Sequence, residues 1–536
     1  MTWISAMPLE RLRRGGKGVA KLGDKQIALF ASGDAVFACN NRCPHEGYPL
    51  REGTLDDACV LTCNWHGWKF DLRTGDNLLQ GDRLRTYPTR IVDGAVWIDV
   101  SDPPPERRRA QALENLRTAF DDHQYDRIAR ELARLRKANA EPVEAVAAAI
   151  DWSHLRLRFG TTHAYPAAAG WLALYDRTAD SEARLVCLVE AIGNMAWDCL
   201  REPVYPFNSA ILPYDEPAFA AALEAQDEDK AIALLRGALA AGRHFAELEQ
   251  TLTAAALRHY ADFGHSLIYV VHTGRLIGRL GPSVEAPLLL ALVRSLTNAS
   301  REDLIPEFRG YAKILGAWPK ANGNSPNARP LVAEILDRPI NATMTAVAQQ
   351  AERASTEDLY DALLAASAMN LLRYDTRYQD NTDNSVADNV GWLDFTHGIT
   401  FGNAVRLQCR KFPELWPQGL LQMACFVGRN SGFVDKSISV DDWRVRGRRS
   451  FERDCLRRLV DHGEPEYIHS VHLVKTFLAA CEEIDAGLQK ETAAILQAAV
   501  GRYFAAPLKR KHAKRTAHQA LNFVALEDGG GPWPIS

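Results

Sequence analysis

The sequence predicts two kinds of domain in one chain, a small all-β domain at the N-terminus and a large, mostly α-helical domain after it. Three observations carry this. Over residues 1–100 short apolar runs alternate with Gly-Asp turns. The segment Ser101-Asp102-Pro103-Pro104-Pro105 then breaks the pattern. Beyond it the chain is rich in Ala, Leu, Glu and Arg, with apolar residues at helical spacing. The expected layout is a β domain at 1–100, a Pro-rich linker at 101–106 and a helical domain at 107–536.

In the β part, Gln26-Ile27-Ala28-Leu29-Phe30, Ala35-Val36-Phe37-Ala38 and Ala95-Val96-Trp97-Ile98 read as strands. The turns between strands are marked by Gly23-Asp24, Gly33-Asp34, Gly75-Asp76 and Asp93-Gly94. Short strands with regular turns suggest a small antiparallel sandwich or barrel. Three consecutive prolines stiffen the linker. After it, Leu113, Leu116 and Phe120, then Tyr125, Ile128, Leu132 and Leu135, follow the helical period. Asp227 and Ser355 each precede an acidic first turn and read as helix starts. Polar loops are expected at 319–330, 376–389 and 428–449. No fixed repeat runs through the helices, which disfavours a solenoid.

The chain has 536 residues, 47% hydrophobic and 24% charged, a composition with ample material for a large core. A net charge of −4 implies no bulk attraction to nucleic acid or to an anionic membrane. The run Lys509 to Arg515 (KRKHAKR) reads as a solvated helix end. The N-terminal residues lack a secretory apolar region, and no apolar stretch reaches 18 residues. Ten cysteines in this length do not make a disulfide framework. A cytoplasmic protein with reduced thiols is expected.

The most specific signal is Cys43-Pro44-His45 followed, 17 residues on, by Cys63-Asn64-Trp65-His66. One thiolate and one imidazole from each segment can hold one iron by sulfur and a second by nitrogen. Zinc would accept the same four donors. The wider segments CPHEGYPL and CNWHGWKFDLRTG resemble, nearly residue for residue, the two cluster loops of the Rieske [2Fe–2S] family. The resemblance implies Cys43, His45, Cys63 and His66 as cluster ligands, with the imidazoles at the exposed end. It also implies tight backbone approach at Gly47 and Gly67, and covering roles for Pro49 and Trp68. Such centres have potentials of roughly −150 to +300 mV, against about −400 mV for all-thiolate plant-type centres. Respiratory members add a disulfide at the positions that Tyr48 and Trp65 occupy here. The chain therefore resembles the ferredoxin and oxygenase type, at the lower end of that range. Cys39 and Cys59 are expected to be buried structural thiols.

More than 400 residues remain to account for. The catalytic domain of ordinary Rieske oxygenases is sheet-rich and binds iron with a D-x-x-H-x-x-x-x-H segment. Asp151-Trp152-Ser153-His154 gives its first part, but the next histidine, His163, is too far on. Histidines in apolar helical segments offer another receiver: His163, His259, His265, His272, His397, His469 and His472, with Lys475 one turn beyond His472. A single such histidine is more often a hydrogen-bonded core residue than a ligand. Several in one domain weaken that reading, since buried imidazoles need partners and a shared metal would satisfy them. The segments resemble the questin oxidase-like family, helical oxygenases of polycyclic aromatic substrates. That resemblance implies His163, His265, His397 and His472 as ligands of a mononuclear Fe(II), with His272 and His469 as substitutes. Lys475 is read as solvated, or carbamylated as an anionic ligand, and Asp394 as exposed or as orienting His397.

The expected function is that of a Rieske iron–sulfur oxidoreductase, an oxygenase oxidising an organic, aromatic or polycyclic, small molecule with O2. Its electron donor is expected to be an NAD(P)H-dependent reductase or a ferredoxin. No nucleic acid or membrane partner is expected, and a homo-oligomer is compatible. Alternatives from another class are an electron-transfer protein whose helical domain docks partners, and a redox sensor.

Overall fold

The computed structural model describes residues 2–79, 81–261, 263–301, 308–319, 332–508 and 512–527. Contacts divide the chain into two compact units, Met1–Pro142 and Val143–Ser536.

The first unit holds ten strands: β1 (Trp3–Pro8), β2 (Lys17–Leu22), β3 (Lys25–Ser32), β4 (Ala35–Asn40), β5 (Thr54–Leu55), β6 (Val60–Thr62), β7 (Lys69–Asp71), β8 (Thr86–Tyr87), β9 (Thr89–Val92) and β10 (Ala95–Asp99). They form three antiparallel sheets, ordered β1-β10-β9, β2-β3-β4-β8 and β5-β6-β7. Three of the four expected Gly-Asp turns are two-residue hairpin connections, pairing Leu22 with Lys25, Ser32 with Ala35 and Val92 with Ala95. The middle of β3, residues 27–30, is apolar throughout because both of its faces are buried. Ile27 and Leu29 pack with Leu12, Val96 and Ile98, the leucine coming from helix α1 (Leu9–Gly15). Ala28 and Phe30 pack on the opposite side with Cys43, Leu50, Leu61, Cys63 and Phe70. This second core is the floor under the two Cys-His loops.

The expected linker ends early, because Pro105 opens helix α2 (Pro105–Asp121), where a missing N–H costs nothing. With α3 (Tyr125–Lys137), it groups with the β elements rather than with the later helices. The sequence placed these two helices in the second domain. Contacts group them with the first unit, and they pack on each other with Leu116, Phe120, Ile128, Leu132 and Leu135 buried.

The second unit is helical, with one isolated β-bridge, Tyr374 to Val434, among the described residues. The expected caps are present. Lys230 N donates to the Asp227 carboxylate at 3.1 Å, and Asp358 N to Ser355 Oγ at 3.1 Å. Four helices form a closed ring: Ala164–Arg177 packs on His265–Leu280, that on Trp392–Lys411, that on Tyr467–Asp485, and the last back on the first. The loop expected at 376–389 contains a short helix, Arg377–Asp380, and the one at 428–449 is trimmed by helices ending at Asn430 and starting at Arg448. The expected loop at 319–330 lies outside the described residues from 320 on, as do 509–511 of the basic run. Its Arg515 is not solvated: it is buried and donates to the carbonyls of Tyr378 and Gln379 at 2.8 and 2.9 Å. Among the described residues no helix is long and apolar enough to cross a membrane.

Candidate metal centres

The first centre lies on the loops joining β4 to β5 and β6 to β7, which are built alike. Cys43 N donates to the Tyr48 carbonyl at 2.9 Å and Gly47 N to the Cys43 carbonyl at 2.8 Å. In the second loop, Cys63 N donates to the Trp68 carbonyl at 2.8 Å and Gly67 N to the Cys63 carbonyl at 2.9 Å. Gly47 and Gly67 turn the loops at φ 79° and 73°, where a side chain would be strained. No protein atom lies near the place of a Cβ at either, so space is left in front of both loops.

The two thiols sit in the core at 3% and 1% exposure, while His45 is half-buried and His66 exposed. The imidazole rings lie 4.7 Å apart. Trp68 stacks on His45 at 4.6 Å, and Trp65 on His66 at 4.7 Å. Trp65 is itself 55% exposed. His45 Nδ1 is buried without a hydrogen bond, and burial lowers this ring below the ordinary histidine range. Burial pushes the Cys43 thiol up to about 11. A buried thiol and a neutral, unbonded imidazole nitrogen are what a cation offsets, by deprotonating the one and accepting the lone pair of the other. The residues fit a [2Fe–2S] group. Cys39 is fully buried as expected, Cys59 only partly, and all ten cysteines are free thiols.

The second centre is in the helical unit. His163 precedes the first ring helix, His265 opens the second, and His397 and His472 sit in the second turn of the third and fourth. Their Nε2 atoms meet in ring order: His163 to His265 at 3.0 Å, His265 to His397 at 2.9 Å and His397 to His472 at 3.2 Å. The Nδ1 atoms face away. Those of His265, His397 and His472 lie 2.9, 2.6 and 2.6 Å from the carbonyls of Ala261, Leu393 and Ile468. Carbonyls only accept, so each Nδ1 carries the proton and each Nε2 a lone pair. Burial, reinforced by Lys475 and the neighbouring imidazoles, holds His163, His397 and His472 well below the ordinary histidine range. Adjacent lone pairs at these distances repel unless a cation lies among them. A histidine donating its other N–H to a backbone carbonyl is also the usual posture of a metal ligand.

The structure thus brings together His163, His265, His397 and His472 and leaves out the others. His272 is buried one layer further along its helix. His469 lines a separate 280 Å³ cavity with Asp394. His259 pairs with Glu224 at 3.4 Å. Two expectations are corrected. Asp394 neither orients His397 nor is exposed; it accepts from Gly391 N at 2.8 Å as a helix cap, and the Leu393 carbonyl orients the ring. Lys475 is 2% exposed rather than solvated, and burial drives its amine down to about 7. Its place between Leu473, Val474, Phe477 and Leu478 on a mostly apolar helix was the signal for this.

The loop geometry defines the class, and the sequence profile of the Rieske [2Fe–2S] domain matches residues 2–88. The chain belongs to the Rieske [2Fe–2S] family, and its cofactor is a cluster of that type. It is 37% identical over 81 residues to the 3-phenylpropionate/cinnamic acid dioxygenase ferredoxin subunit of Escherichia coli (strain K12), covering 15% of this chain and 76% of that one. It is 32% identical over 108 residues to the 3-chlorobenzoate-3,4-dioxygenase oxygenase subunit of Comamonas testosteroni, covering 18% of this chain and 25% of the relative. Among solved structures it matches the ferredoxin of carbazole 1,9a-dioxygenase from Nocardioides aromaticivorans IC177 at 22% identity, covering 19% of this chain and 100% of that one, with a TM-score of 0.18. The chain thus spans about three quarters of the ferredoxin subunit but a quarter of the oxygenase subunit.

Proposed function

We propose that the chain is a Rieske-type oxygenase, with Cys43, His45, Cys63 and His66 holding the [2Fe–2S] cluster and His163, His265, His397 and His472 holding a mononuclear iron. When bound, the cluster supplies electrons singly, drawn from an NAD(P)H-dependent reductase or a ferredoxin, and the iron activates O2 toward an organic substrate.

One observation supports the second centre: four imidazoles turn their Nε2 atoms on one another, and in His265, His397 and His472 the backbone carbonyl at Nδ1 leaves that nitrogen unprotonated. His163, His265 and His397 form the tightest group, their ligand atoms all within 4.8 Å of one another, and His472 extends it through His397 at 3.2 Å.

The side chains have distinct tasks. The carbonyls of Ala261, Leu393 and Ile468 fix the ring orientations. Phe263 stacks on His397 at 5.1 Å, and Tyr269 lies 5.7 Å from His265, which suits an apolar, aromatic substrate. The Lys475 amine is buried with no hydrogen-bond partner. Addition of CO2 to it, with loss of one proton, would give a carbamate and supply the negative charge that four neutral imidazoles lack. His66 and Trp65 present the exposed edge of the first centre to an electron donor.

Metal and sulfide analysis of the full chain tests the reading. About three irons and two acid-labile sulfides per chain are expected, with His397→Ala losing one iron and no sulfide. Two irons per chain in the unaltered protein would leave an electron-transfer protein with a docking or sensing helical unit.

A further inference from the structure

Helices α2 and α3 lie beyond residue 88, where the family match ends, yet they are fastened to the segment beside the cluster loops. Asp82, from the segment between β7 and β8, is fully buried. Two arginines of α3 hold it. Arg127 Nε donates to Oδ1 at 2.8 Å and Arg134 Nη1 to Oδ2 at 3.2 Å. Arg134 also bonds Glu131, which is itself fully buried and receives Asn115 of α2 at 3.4 Å. The next residue, Arg83, reaches Gln111 of α2 at 3.4 Å.

Asp82 is one bond along the chain from Gly81, and Gly81 is pressed against the indole that covers the cluster site. A Cβ at Gly81 would lie 2.7 Å from Trp68 Cη2, and its φ is 136°. The far side of that indole stacks on His45, 4.6 Å between centroids and 12° between planes. A continuous set of contacts therefore runs from α3 through Asp82, Gly81 and Trp68 to a cluster imidazole. The charges of Arg130 and Asp82 both act on His45, and Arg130 Nε is buried without a hydrogen bond. Burying a carboxylate is costly unless it is paired, so the pairing fixes the segment in one position.

We propose that the α2–α3 hairpin is a clamp on the cluster. It positions Trp68 over His45 through Asp82 and sets, by its arginines, how readily the cluster accepts an electron. Uptake of an electron adds one negative charge beside His45. Arg127, Arg130 and Arg134 stabilise that charge and Asp82 opposes it. These are positioning residues, and the inference needs only the first unit and its cluster, not the helical iron.

The test is the midpoint potential of the full, cluster-loaded chain, with the visible circular dichroism of the cluster recorded alongside. Asp82→Asn should raise the potential. Arg134→Gln, at a side chain already partly exposed, and Arg130→Gln should lower it. Each shift should approach tenfold in the reduction equilibrium, 59 mV for a one-electron couple. Arg11→Gln, an exposed residue of α1, is the control for net charge and should move it far less. Opposite shifts from Asp82→Asn and Arg134→Gln, with an altered visible dichroism, support the clamp. Loss of the cluster from both with unchanged far-ultraviolet dichroism does so too. Unmoved potentials and dichroism overturn it, as do shifts no larger than that of Arg11→Gln.

Discussion

A buried lysine with nothing to bond is costly to a helical core, and Lys475 is kept beside four imidazoles whose lone pairs need a cation. In the proposed function its amine takes part in the second centre. Lys475→Met should lower iron affinity by at least about tenfold, the scale seen when groups supporting a metal are removed. Lys475→Glu should restore much of it. A 13C-bicarbonate label should appear as a carbamate signal in the metal-loaded protein and vanish in Lys475→Met; full iron content without the label would remove the carbamate while leaving the histidines. The same groups set the acid stability of the metal-free chain. Burial holds His163, His272, His397 and His472 neutral in the fold, so below about pH 6.5 the unfolded chain binds the extra protons. Stability should fall there by up to about 1.4 kcal/mol per pH unit for each imidazole. Lys475, lowered from 10.5 to about 7, adds a shallower loss as pH falls across that window. Urea titrations of metal-free protein across pH check both, and Lys475→Met should abolish the upper part alone. At this scale the four cluster residues were legible because their spacing is local. The four helical histidines stood out by their apolar surroundings. The pairing of Asp82 with Arg127 and Arg134 was not legible: it joins ordinary charges 45 and 52 residues apart.

Elements were readable wherever one periodicity ruled. The hairpins followed from Gly-Asp turns between apolar runs, and the helix starts from Asp227 and Ser355. The grouping of α2 and α3 with the β elements was not legible, because an amphipathic stripe tells that a helix will bury a face and not which core receives it. Asp394 was misread for a related reason, since a carboxylate in a first turn serves as a cap as readily as it serves a neighbouring ring. The ring helices carry a sharper requirement. Each histidine depends on the rotation of its helix, and one added residue turns everything beyond it by about 100°. Insertion of one alanine after Tyr467 should therefore remove the helical iron, measured as one iron per chain, while far-ultraviolet dichroism stays near that of the unaltered protein. Retained iron would mean that His472 is dispensable.

Across the whole molecule, contacts divide the chain into two units, and the proposed function assigns each its own metal centre. Thermal unfolding followed by the visible absorbance of the cluster and by the helical dichroism should give two distinct midpoints. Chelation of the helical iron should shift only the second. Coincident midpoints that move together would show one cooperative body instead. The closed ring of four helices has a further consequence. Its first histidine and its last are 309 positions apart, from His163 to His472. The metal pocket therefore cannot exist in any partial chain released early from synthesis. It comes into being only when the final ring helix swings home, so on the proposed function capture of iron would mark the moment at which this long-range architecture is complete.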